Sequence, residues 1–194
     1  VGLCEGRPRP LASGMARADD THRDEFYRSL GGTKAMARAS GSLEARDTPT
    51  ALMVTGVIGP GSYDEFRSAL MQAEPELVVL DGPGGILGEA LLIGEEVRRR
   101  RLNTVVGPNG SCASACAVVF LSGRTKYLGA GANVGLHAAS TADGRPDAEA
   151  TAVMAAYLKA MGVPNATLRR MAQTAPNKIR WLTKSEQKAI GIRA

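Results

Sequence analysis

The stretch GSCASACAVVF, residues 110–120, sets Ser114 between Cys112 and Cys116 at the edge of an apolar run. The chain has only three cysteines, and this bracketing admits a metal site, a redox pair, or a buried turn built around a nucleophile. Two cysteines are too few for structural zinc, and no nearby His, Asp or Glu completes a ligand set. The C-x-x-x-C spacing also differs from the C-x-x-C of thiol oxidoreductases. Residues i and i+4 near a helix start have Cα atoms roughly 6 Å apart, within the reach of a disulfide. Cys112 and Cys116 therefore either pair to brace the turn or pack as small buried thiols. On either reading they support the serine, a reactive thiol is the remaining alternative, and Cys4 is left over.

Two further features could work with Ser114. His137, one of two histidines, lies 23 residues downstream in NVGLHA, at the end of an expected strand. DGPGGI, Asp81 to Ile86, delivers a Gly-Pro-Gly-Gly turn from an apolar run into a helix. Glycines there let the backbone approach a ligand closely, and N–H groups at a helix start suit an anion or a developing oxyanion. Each feature alone has an ordinary explanation. The serine can cap a helix, a histidine at a strand end is usually structural, and Gly/Pro turns after strands are common. Together they supply a nucleophile, a base and an oxyanion hole. Neither the phosphate-binding G-x-x-x-x-G-K-[ST] nor, at this turn, G-x-G-x-x-G is present.

The elements that must position these residues can be read from residue 50 onward. ALMVTGVI (51–58) reads as a strand, SYDEFRSALMQA (62–73) as a helix, and ELVVLDG (76–82) as a strand buried on both faces. ILGEALLIGEEVRRRR carries Leu87, Ala90, Leu91, Gly94 and Val97 along one helical stripe. NTVVG is a strand, a helix opens at CASACAVVFLSG, and TKYLG and ANVGLHA are two more strands. DAEATAVMAAYLKAMG, NATLRRMAQTA and TKSEQKAIGI read as helices. Strands alternating with helices predict an α/β domain over 49–194 with a mostly parallel sheet. Residues 1–48 read as a flexible arm with one short helix in THRDEFYRSL, capped by Asp20 or Thr21, where His22 is a surface residue.

Composition narrows the function classes. The 194 residues are 44% hydrophobic and 22% charged, as in globular domains. The net charge of +5 does not point to nucleic acid, because four Tyr, three Phe and one Trp make no stacking platform. The Arg98–Arg101 run closes a helix instead, where cations complement the macrodipole. No apolar run approaches the roughly 18 residues of a membrane span. No signal peptide is recognisable, and VGLC departs from a lipoprotein site at the bulky Leu3.

The ordered set LVVLDGPGGILGEALLIGEEVRRRRLNTVV, SCASACAVVFLSG and ANVGLHAAS resembles the Clp protease proteolytic subunit. It is most similar to a ClpP-like bacterial branch, held to be periplasmic, with cysteines around the serine. The resemblance spans about residues 50 to 192 and implies the ClpP/crotonase fold, a spiral of β-β-α units. It implies that Ser114 is the nucleophile, His137 the general base, and the Gly85 and Ala115 N–H groups the oxyanion donors, with Gly84 and Ile86 flanking the turn. It further implies peptide substrates, an oligomer formed through C-terminal helices including AVMAAYLKAMG, an exported or periplasmic location, and no cofactor or metal.

Three departures stand out. Before IRWLT the family's acidic residue is replaced by Ile179, leaving a Ser-His dyad, a triad assisted by Asn177 if that segment is extended, or a weakened relic. Gly82 stands where the family has serine. The segment between His137 and Asn177 is shorter than the handle that joins Clp rings, which argues against a two-ring assembly and an ATPase partner. The expected activity is serine peptidase. The rivals are a non-catalytic binding domain of the same fold and a crotonase-type acyl-CoA enzyme, which would not need Ser114.

Overall fold

The computed structural model describes residues 51–194 and a two-residue strand, β1 (Gly2–Leu3). The expected arm helix, His22 and Cys4 lie outside the described residues. In chain order follow β2 (Ala51–Ile58), α1 (Ser62–Ala73), β3 (Leu77–Gly85), α2 (Leu87–Arg99), β4 (Asn103–Val106), β5 (Ser111–Ala113), α3 (Ala115–Leu121), β6 (Lys126–Leu128) and β7 (Asn133–Leu136). The chain ends with α4 (Ala148–Ala160), α5 (Asn165–Ala172), β8 (Arg180–Trp181), α6 (Lys184–Ile190) and β9 (Ile192–Arg193).

β3 is the branch point of the sheet. β2 runs parallel along one edge of it from Ala51↔Leu77 to Ile58↔Gly85. On the other edge two strands follow one another, β4 beside Leu77–Val79 and β5 beside Gly82. β6 and β9 extend the β4 branch, and β7 and β8 extend the β5 branch. Every pairing between named strands is parallel except β1–β2 and β7–β8. The successions β4-β5-α3 and β6-β7-α4 are β-β-α units, so the sheet curls as the resemblance implies. The main core is aliphatic, built from residues such as Ile58, Leu80, Ile93, Val118, Leu136 and Leu158, with Phe66 and Phe120 as its aromatics.

Two local expectations change, and one condition is not met. The Gly-Pro-Gly-Gly segment, read as a turn, continues β3 to Gly85, because β2 supplies a parallel partner as far as Ile58. Cys112, expected at a helix start, belongs to β5, since β3 and β7 flank that short segment on both sides. The segment around Asn177 is not extended: Lys178 N–H donates to the Ala175 carbonyl at 2.9 Å, closing a turn over Pro176 and Asn177. Proline then asparagine at the centre of a turn is a favoured pair, and here that local preference wins.

Candidate active site

Ser114 occupies the junction of β5 and α3 with φ 58° and ψ −125°. A non-glycine residue with positive φ is held there only by its surroundings, at a cost of about 1–3 kcal/mol. Four ties hold it. Its N–H donates to the Gly135 carbonyl on β7 at 2.9 Å. Its carbonyl accepts the Val118 N–H at 3.3 Å, opening α3. A disulfide joins Cys112 to Cys116 across it, with Cα atoms 5.2 Å apart. The turn also rests against Gly84, where a Cβ would fall 2.7 Å from Ser114 Cβ and 2.6 Å from the Ala113 carbonyl oxygen. All seven residues of α3 are buried, and burial of side chains such as Val118 and Leu121 stabilises by about 1.5–3 kcal/mol each. The junction thus stands on a fixed base, leaving Ser114 half-buried at its tip.

Of the two readings for the cysteines, the structure has the bridge. Both sulfurs lie inside the core, with Cys112 0% and Cys116 3% exposed.

Two backbone N–H groups belong to the segments that meet at the serine. Ala115 is the first residue of α3, and the first N–H groups of a helix have no acceptor within it. Gly85 pairs with Ile58, while the Ile58 carbonyl takes the N–H of Ile86 at 2.8 Å. In a parallel ladder this turns the N–H of Gly85 toward the opposite edge of β3, where β5 lies. A Cβ on Gly85 would collide with the Ile58 carbonyl, so only glycine permits the approach. Gly82 has a similar reason to depart from serine: its missing Cβ points at the Gly56 carbonyl, where β2 bulges.

His137 follows β7 and is half-buried. The pairs Ala113↔Gly135 and Ser114 N–H to Gly135 bring the carboxyl ends of β5 and β7 together, so serine and histidine leave adjacent strands at the same end. His137 Nδ1 lies 2.7 Å from the Ala138 carbonyl oxygen. A carbonyl can only accept, so Nδ1 carries the proton and Nε2 of the neutral ring keeps its lone pair. No hydrogen bond joins Ser114 to His137 among the described residues.

The position that matches the family's acid holds Ile179, whose side chain lies over Gly135 on β7, with Trp181 beside it. Ile179 and Trp181 are 37% and 44% exposed. Asn177 is exposed in its turn, and among the described residues no hydrogen bond connects it to His137.

A polar cluster behind β8 was not anticipated from sequence. Glu186, 5% exposed, accepts from Arg170 and Arg180, each at 3.1 Å, from the Thr183 N–H at 3.0 Å and from the Thr167 hydroxyl at 3.3 Å. Burial opposes its ionisation, but the Thr183 N–H, the Arg180 guanidinium and the Thr183 hydroxyl outweigh that and take the carboxyl down to about 2. Its sequence signal is TKSE, the S/T-x-x-E pattern of a capping box, which Thr183 and Glu186 form at the start of α6. Among the described residues there is no group of three or more His, Cys, Asp or Glu fit for a metal, and no helix long and apolar enough to cross a membrane.

The fold is that of the ClpP-like proteases. The chain is similar to the 1510-N membrane-bound stomatin-specific protease in two solved forms. A serine-to-alanine mutant matches with TM-score 0.52 at 20% identity over 74% of this chain and 77% of that one. A lysine-to-alanine mutant in complex with a substrate peptide matches with TM-score 0.54 at 21% identity over 74% and 73%. An asparagine-to-aspartate mutant of ClpP1 from Listeria monocytogenes matches with TM-score 0.57 at 13% identity over 73% and 87%. No family profile matches the chain, and no curated protein matches it in sequence.

Proposed function

We propose that this chain is a serine peptidase working through a Ser114–His137 dyad. Ser114 Oγ attacks the carbonyl carbon of a peptide or ester while His137 Nε2 takes its proton. The carbonyl oxygen becomes an oxyanion facing the Ala115 and Gly85 N–H groups. Collapse breaks the bond to the leaving amine or alcohol, which receives the proton from Nε2. Water then gives a proton to the same nitrogen and adds to the acyl carbon, the bond to Ser114 Oγ breaks, and Oγ takes the proton back as the acid leaves.

The observation that carries this reading is Ser114 at positive φ where a strand turns into a buried helix. A serine serving only as a cap needs no such strain, and this one makes no side-chain cap. The Nδ1 contact with Ala138 supports the base role because it leaves Nε2 as acceptor. The same contact favours a dyad, since a backbone carbonyl does the orienting asked of Asn177. A histidine base also separates this site from a serine–lysine arrangement. The buried bridge fits an oxidising compartment and thus the exported branch. Self-association through α4 and α5 fits the shallow groove between them, where Ala155, Ala156, Leu168 and Ala172 are bordered by Lys159, Asn165 and Arg169.

A fluorophosphonate probe tests the reading directly. Peptide mass spectrometry should find the adduct on Ser114, lost in Ser114→Ala and in His137→Ala. Absence of labelling in folded protein would favour a non-catalytic binding domain of this fold or a crotonase-type enzyme.

A further inference from the structure

We propose that Glu186 is the positioning residue for His137, acting from behind the strand on both segments that set the imidazole. Two arms leave its carboxylate. The first is Arg180, whose Nη1 sits 3.1 and 3.2 Å from the two carboxylate oxygens. Arg180 lies in β8 and pairs with Leu136, the residue before His137. The second is Arg170 at the end of α5, 3.1 Å from the carboxylate. The Arg170 carbonyl accepts the Thr174 hydroxyl at 2.8 Å, and the Thr174 carbonyl accepts the Ala138 N–H at 2.9 Å. Ala138 is the residue after His137, and its own carbonyl holds Nδ1. One buried carboxylate therefore fastens the chain on both sides of the base.

This arrangement explains how the site tolerates Ile179. A triad acid touches the imidazole and orients it directly. Here a backbone carbonyl makes that contact, and a carbonyl is only as well placed as its peptide. The Ala138 peptide is fixed through its N–H by Thr174, and β7 is fixed through β8. Glu186 is where both supports meet. Without its charge, the two guanidinium groups would lose their shared counter-charge, and Arg180 would be left half-buried and uncompensated beside β7. The Thr183 N–H and hydroxyl complete the cluster, so α6 carries the carboxylate at a defined height.

The functional consequence rests on the dyad reading, so the test includes a readout that does not. Long-range ¹H–¹⁵N spectra of the imidazoles report which nitrogen bears the proton. The chain has two histidines, and His137→Ala assigns the signals. In the unaltered protein His137 should show the Nδ1–H form. In Glu186→Gln it should shift to a mixture with Nε2–H, and the Ser114 labelling rate should fall about 10-fold, the scale of a small misplacement of a catalytic group. Leu158→Val, a core change remote from this cluster, should lower the melting temperature and leave the tautomer unmoved. If Glu186→Gln does not fold, Arg180→Lys, which keeps the charge but changes the fork, should give the same shift. An unchanged tautomer in whichever variant folds would overturn the proposal, leaving Glu186 as a helix cap. A tautomer shift in a protein that the probe never labels would uphold the positioning and reject the hydrolase reading.

Discussion

The two halves of the candidate site are built in opposite ways. On the nucleophile side, Ser114 is fixed by a disulfide, an inter-strand hydrogen bond, the opening bond of a buried helix and contact with Gly84. On the base side, His137 is flanked by a two-residue strand and an exposed turn, secured by hydrogen bonds and ion pairs that converge on Glu186. The difference follows from what each residue must do in the proposed reaction. Ser114 holds a disfavoured backbone conformation, and strain of that size persists only where packing and covalent links leave no alternative. In the proposed dyad, His137 needs only the right proton on the right nitrogen and a steady orientation, which a chain of polar contacts provides.

Breaking the nucleophile side should produce the largest effect. Gly84→Ala would put a methyl group against the Ala113 carbonyl, the Ala115 nitrogen and Ser114 Cβ at a residue with φ 99°. None of these is the end of a flexible side chain, so the turn itself must move. Ser114 labelling should fall about 100-fold or more, because the reacting atom is displaced by a sizeable fraction of an ångström or more. Labelling at the unaltered rate would show that contact with Gly84 does not fix the turn.

The bridge sharpens the comparison in the middle of the range. Cys112→Ala with Cys116→Ala should lower unfolding free energy by about 2 kcal/mol, the value for so short a loop, as read from guanidinium melts. The same variant should slow Ser114 labelling severalfold, while the His137 imidazole signals stay in place. Movement of those signals instead would mean that the two sides are not mechanically separate. The smallest effect belongs to Asn177→Ala, which should leave labelling within about twofold, as expected for an exposed turn residue away from special contacts. A loss of tenfold or more would make Asn177 a third member of the site and defeat the dyad.

Much of this architecture is visible in local sequence. β2 and α1 have the bounds their patterns predict, Ala51–Ile58 and Ser62–Ala73, because alternation and helical spacing are one-dimensional signals. The two misread strand segments share one cause. SCA and GPGG carry weak strand preference, and they become β5 and the end of β3 only because partners flank them. For Asn177 a role beside the base required an extended segment, and Pro176–Asn177, itself a turn pair, forms a turn instead. The base's support was invisible for a different reason. The Ala138 carbonyl has no side-chain identity to read, and Glu186 lies 49 residues beyond His137 in the chain.

By itself, the sequence determined the residue types and the elements that carry them: a serine opening an apolar helix, a histidine ending a strand, glycines where backbone must approach backbone, and cysteines spaced for bridging. These depend on periodicity and on the chemistry of single side chains, which neighbours along the chain suffice to express. Tertiary structure alone decided that β5 and β7 end side by side, that Ser114 adopts positive φ, and that His137 leans on a carbonyl held from behind by Glu186. Those outcomes depend on parallel register and on contacts between residues far apart in sequence, which form only when the sheet closes around β3.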